Sequence, residues 1–142
     1  MAEFIKQSWL FPVIQSVHLI GLTLLVGTIC LADLRILGVG ARGRPAAEVA
    51  SSLASWTSAG LLTVLVTGPL MFASDLTRYL VNPAFVVKMV LLAIAFVAHL
   101  TLHRSAIINS KRQKLAAVLS LVLWSSVVLA GRAIADFDIR PV

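Results

Sequence analysis

Charge is what this sequence has little of, and the places where it is missing decide the solvent. Asp, Glu, Lys and Arg make up 13% of the 142 residues, and none occurs in residues 7–32, 49–74 or 115–131. Soluble domains carry about 25% charged residues. A fourth stretch, residues 79–103, is broken by Lys88 alone. A bilayer core requires roughly 20 apolar residues per helix, within a range of about 17 to 25. Four stretches fit that length, so the chain folds in lipid, and a mean hydropathy of +0.97 agrees.

Other scarcities exclude other classes. The one cysteine, Cys30, sits inside the first apolar stretch, so no intrachain disulfide forms and cysteine gives no redox compartment. Four spans and three connections use nearly all of these residues, so no sizeable extramembrane catalytic unit is expected among them. The twelve basic residues outnumber the six acidic ones, but in a membrane protein that excess reports topology, and no nucleic-acid partner is expected. The start, with Glu3 and Lys6 before a long apolar run, lacks the net positive charge and short apolar core of a cleaved signal. The first stretch is therefore expected to be a retained helix.

Punctuation divides the chain into an all-α, up-down bundle of four transmembrane helices in one domain, over about 8–37, 46–72, 83–107 and 111–135. Pro12 falls in the opening turn of the first helix, where a missing N–H costs least, and Gly38, Gly40 and Gly43 end it. Pro45 to Glu48 reads as the start of the second helix, and Gly68-Pro69 as a kink near its end. Asn82-Pro83 reads as an N-cap followed by proline at the first helical position. Ser110 to Gln113 fits a capping box for the fourth helix.

Lysine and arginine set the orientation. Seven of the twelve, including Arg35, Arg42, Arg44, Lys111, Arg112 and Lys114, fall on the side of the first and third connections. Four of the six acids fall on the other. The positive-inside rule then puts the basic connections in the cytoplasm and both termini on the periplasmic side of a bacterial inner membrane. Trp9 and Tyr79 fall where interfacial aromatics are expected.

Ionisable groups within a span are costly in lipid and are functional candidates by default. Here they are His18, Lys88, His99, His103 and Arg132. Lys88, Leu92, Ala95, His99 and His103 share one helical face, which is expected to look into the bundle. His99 and His103, four residues apart, can clamp a metal ion if further ligands converge; the alternative is that His103 meets water and His99 bonds across helices. His18 lies deep in the first span, stacked with Leu22, Leu25 and Ile29, and Gly21 beside it leaves room for a helix or a flat cofactor. Haem b suits a histidine-bearing membrane bundle, since imidazole supplies axial ligands. At 1.5 Å per residue His18 lies about 14 Å below Trp9, whereas His99 lies about 22 Å and His103 roughly 28 Å below Ala84. Those levels do not match without tilt, and a second ligand from another chain is the alternative.

Arg132 and Asp136 form an exposed ion pair in one reading; in the other, Arg132 holds a propionate or a partner's carboxylate. Lys88 snorkels to the interface or serves the same purpose. Trp56, Trp124, Ser125 and Ser126 read as packing residues.

Asn82-Pro83-Ala84-Phe85 with Lys88, the His103-Arg104 helix end, Trp56 followed by Thr67-Gly68, and Gly131 to Ala135 together resemble an uncharacterised bacterial family of small four-helix inner-membrane proteins. More loosely, His18-Leu19-Ile20-Gly21 with Gly27 is similar to the first helix of the copper-resistance protein D group and of cytochrome b561-like proteins. The first resemblance implies that His18, Lys88, His103 and Arg132 matter. The second implies haem or copper movement.

The leading expectation is an inner-membrane subunit holding haem b for electron transfer, with His18 as ligand and His99 or His103 second. It is not expected to be an enzyme on its own. The rival is a structural or anchoring subunit whose surface packs against partner chains or further copies of itself. A third reading is passage of metal or protons along the Lys88 to His103 stripe. The lack of a buried carboxylate in the spans counts against a proton relay.

Overall fold

The computed structural model describes residues 8–40, 43–105 and 110–137, the side chains of 102–105 and 110 excepted. Four long helices carry the fold: α1 (Leu10–Ile36), α2 (Ala46–Ser74), α4 (Pro83–Ser105) and α5 (Ser110–Asp136), with a short α3 (Leu76–Val81) between α2 and α4. All four long ones are long and apolar enough to cross a bilayer.

Local chemistry sets the helix ends. Gly38 terminates α1 at φ +89°, a left-handed conformation that side chains with a Cβ resist. Its N–H donates to Arg35 O at 3.1 Å and the Val39 N–H to Leu34 O at 2.8 Å, which is the Schellman pairing that satisfies the last carbonyls. At the other end of the molecule, Asn82 Oδ1 accepts from the Ala84 N–H at 3.0 Å, so the N-cap read from Asn82-Pro83 is present. The side chain also reaches across: Asn82 Nδ2 donates to Ile134 O at 3.0 Å and to Phe137 O at 3.2 Å. One buried amide thus starts α4 and ties it to the end of α5. Ser110 of the expected capping box has its side chain outside the described residues.

Helix α2 runs through Pro69 to Ser74, within two residues of the expected end near Phe72. Two features depart from expectation. Asp75 then opens α3, which hydropathy merges with its neighbours. Tyr79, expected at the interface, is buried instead. Phe85 stacks on Phe72 at 5.4 Å between ring centroids, and Tyr79 leans on Phe85 at 5.3 Å. Tilted and offset aromatic pairs of this kind are favourable beyond their buried area, so the short helix folds its ring inward.

The helices pack as two antiparallel hairpins, α1 with α2 and α4 with α5, joined where α1 meets α5. Among the described residues no Cα of α2 comes within 8 Å of one in α4. The backbones stay apart on that side, which is bridged by the Phe72–Phe85 stack. Small residues let α1 and α2 approach, as in membrane helix pairs generally. A Cβ built on Gly60 would stand 2.5 Å from Leu25 N and 2.8 Å from Gly21 O. Farther along, the Thr57 hydroxyl donates to that of Thr28 at 2.8 Å. Leu25, Ile29, Ala95, Trp124 and Val127 form the buried core. Of the two tryptophans read as packing residues, Trp124 is buried there and Trp56 faces outward on α2.

Candidate functional site

The buried polar groups of the spans gather at two levels. The first lies toward the end that carries Trp9, Asn82 and Asp136. His18 on α1 is buried, and its Nδ1 lies 2.8 Å from Thr67 Oγ1 on α2. A threonine hydroxyl has one proton, and Thr67 gives it to Thr63 O, 2.6 Å away. The shared bond is then Nδ1–H donating to Thr67 Oγ1, which leaves the lone pair on Nε2. Gly68 lies beside the ring, since a Cβ there would sit 3.6 Å from His18 Cε1.

Lys88 reaches the same region from α4. Its chain lies over Gly131 of α5, where a Cβ would be 3.7 Å from Lys88 Cε, and it stands near the level of His18, since each lies seven residues before a residue of the shared core, Ala95 and Leu25. The half-buried lysine lies along the contact of α4 with α5, where the glycine leaves room for its stem. Among the described residues Lys88 Nζ makes no hydrogen bond or ion pair. All four long helices thus bring groups to this level: an imidazole with its threonine support, an ammonium, and a glycine beside each.

The other expected residues lie elsewhere. Arg132 pairs with Asp136 at 3.0 Å, both well exposed, which matches the ion-pair reading. His99 lies on the bundle-facing stripe with Leu92 and Ala95, the last of them buried. It is eleven residues beyond Lys88 along α4, about 16 Å at 1.5 Å per residue, and so does not share the level of His18. His103 belongs to the last turn of α4, and its side chain lies outside the described residues. Among the described residues, no three of His, Cys, Asp or Glu come together as a metal site would require.

The second level holds a group the sequence reading passed over. Asp33 near the end of α1 is fully buried, which corrects the expectation that the spans contain no buried carboxylate. The signal was available: Asp33 is fifteen residues from His18, the same offset that joins Lys88 to His103 on one face. Ser120 of α5 is buried as well. Thr67, by contrast, is one of many span threonines, and only the register of α1 on α2 selects it.

Ionisable groups turned inward and large apolar side chains turned outward along four spans define an integral, multi-pass membrane protein. The chain belongs to a family of unknown function, DUF6644, whose profile matches residues 10–137. No curated protein and no solved structure matches it. The likeness to the copper-resistance protein D and cytochrome b561 groups thus rests on the first-helix residues alone.

Proposed function

We propose that this protein is a redox subunit of a bacterial inner membrane, its basic connections facing the cytoplasm, in which His18 and Lys88 hold haem b. The observation that carries the reading is the bond from His18 Nδ1–H to Thr67. A histidine that ligates through one nitrogen generally donates from the other, which fixes the tautomer and raises the ligand's basicity. His18 meets that requirement with Nε2 as the ligating atom. Lys88 offers its ammonium to a propionate carboxylate at the same level. When bound, haem b would supply one-electron exchange within the membrane. His99, about 16 Å further along α4 than Lys88, would not share that level, so any second ligand to the iron would come from another chain.

The test is the visible spectrum of protein purified from native membranes in mild detergent, oxidised and then reduced with dithionite. The reading expects a Soret band that sharpens on reduction, is lost in His18→Ala, and persists in His99→Ala. A flat spectrum in haem-replete membranes refutes it.

A second reading, an anchoring subunit, has its own support in the wide backbone separation of α2 and α4 away from the Phe72–Phe85 stack. A partner's helix laid there would close the bundle. In that case the protein is colourless, co-purifies with a larger complex, and tolerates His18→Leu.

A further inference from the structure

Where the first connection meets the membrane, a groove of about 260 Å³ runs between the end of α1 and the start of α2. Leu31, Leu34, Val39, Val49 and Leu53 line it, and Arg44 stands at its rim. Leu31, Val39 and Arg44 are exposed, so the groove opens outward. The Arg35 Nε–H donates to Arg44 O at 2.7 Å, which fixes the backbone of the rim while leaving the Arg44 guanidinium free to turn. The nearest carboxylate to that guanidinium is Glu48 at 3.7 Å, and both side chains are more than half exposed. Such a pair is worth little and exchanges readily.

We infer that this groove is a binding site for an anionic phospholipid. Aliphatic walls ask for a hydrocarbon segment, and a guanidinium at the mouth asks for an anion joined to it. An arginine matches phosphate through paired N–H donors. Of the molecules in a bilayer, a phospholipid with net negative charge has both parts in that order. The volume falls below the roughly 300–1,000 Å³ of sites that enclose a drug-sized ligand. It therefore accommodates the upper part of one acyl chain beside its headgroup, with the remainder in the bilayer. Arg112 and Lys114, exposed at the start of α5, lie at the same end of the molecule but outside the groove, so they report any diffuse attraction of anionic lipid to basic residues. The site is independent of His18 and of any cofactor.

Delipidated protein in mild detergent, offered equal amounts of phosphatidylglycerol and phosphatidylcholine with matched chains, tests this by native mass spectrometry. The expected result is one phosphatidylglycerol retained at least about fivefold over phosphatidylcholine, the discrimination one arginine near anionic lipid can provide. Arg44→Gln should abolish the preference, and Leu53→Trp should reduce retention of both lipids by filling the groove. Lys114→Gln, away from the groove, should leave the preference intact. Equal retention of the two lipids by the unaltered protein overturns the inference. So does an Arg44→Gln protein that keeps the preference, or a loss in Lys114→Gln as large as that in Arg44→Gln, which would show diffuse attraction without a site.

Discussion

His18 Nδ1 sits 2.8 Å from Thr67 Oγ1, and the proton of that hydroxyl is directed at Thr63 O. The imidazole is thereby held in one orientation and one tautomer by a residue 49 positions away in sequence. Thr67→Val keeps the shape and removes the acceptor, leaving a buried N–H unsatisfied at a cost of about 1–3 kcal/mol. Thermal unfolding in detergent should show that loss, and Thr67→Ser should recover most of it. If Thr67→Val unfolds like the unaltered protein, the bond contributes nothing and the tautomer assignment fails with it.

The approach of α1 to α2 gives a sharper contrast. A methyl at Gly60 would meet the backbone of Leu25 and Gly21, and backbone cannot rotate out of the way as a side chain can. Gly27 lies on the same hairpin with nothing within 4 Å of its Cβ position. Gly60→Ala should destabilise by about 1–3 kcal/mol or more, the range for forcing extra volume into a packed contact. Gly27→Ala should be neutral or stabilising, because alanine is the better helix former. Denaturation of the two variants side by side in one detergent checks the ordering, and equal effects would mean the hairpin is not packed at Gly60.

At the terminal end, Asn82 can be taken apart in two steps. Asn82→Ser retains an oxygen able to cap the Ala84 N–H but removes the donors to Ile134 O and Phe137 O. Asn82→Ala removes both functions. Loss of an N-cap costs about 0.5–2 kcal/mol, so alanine should be worse than serine by roughly that amount. Both should be less stable than the unaltered chain, and protease accessibility near residue 137 should rise in each. A serine variant as stable as asparagine would show that the tie to α5 carries no load.

The parts of this fold that were legible in sequence are those in which lipid or a local bond acts directly. Charge-free runs set the four spans, because a bilayer penalises each ion separately. Asn82-Pro83 and Gly38 set two ends, because a cap and a left-handed turn are satisfied within a few residues. Tyr79 and α3 were not legible: the same aromatic suits an interface or a buried stack, and only the placement of Phe72 against Phe85 decides. The candidate site was legible by half. His18 and Lys88 stand out as ionisable residues in spans, whereas their convergence depends on how two hairpins dock. That register also separates His99 from His18. Asp33 immediately precedes the basic connection in sequence, and only its helical phase, fifteen residues from His18, marks it for the buried side.

Lys88 is the residue on which function and stability pull apart. Its ammonium is half-buried and, among the described residues, has no anion beside it, so in the ligand-free protein it carries a desolvation cost with little return. A partly buried charge without a partner bears its desolvation cost uncompensated, and an apolar side chain of similar length removes that cost. Lys88→Met should therefore raise the unfolding temperature of cofactor-free protein. If the ammonium serves a carboxylate on a bound group, the same substitution should speed loss of that group, while His18→Ala removes the spectral signature altogether. Unfolding scans and haem-release rates on the one variant distinguish the cases. A gain in stability with faster release marks Lys88 as kept for binding. A loss of stability would instead mean that the ammonium itself supports the ligand-free bundle and is not held in reserve for a bound carboxylate.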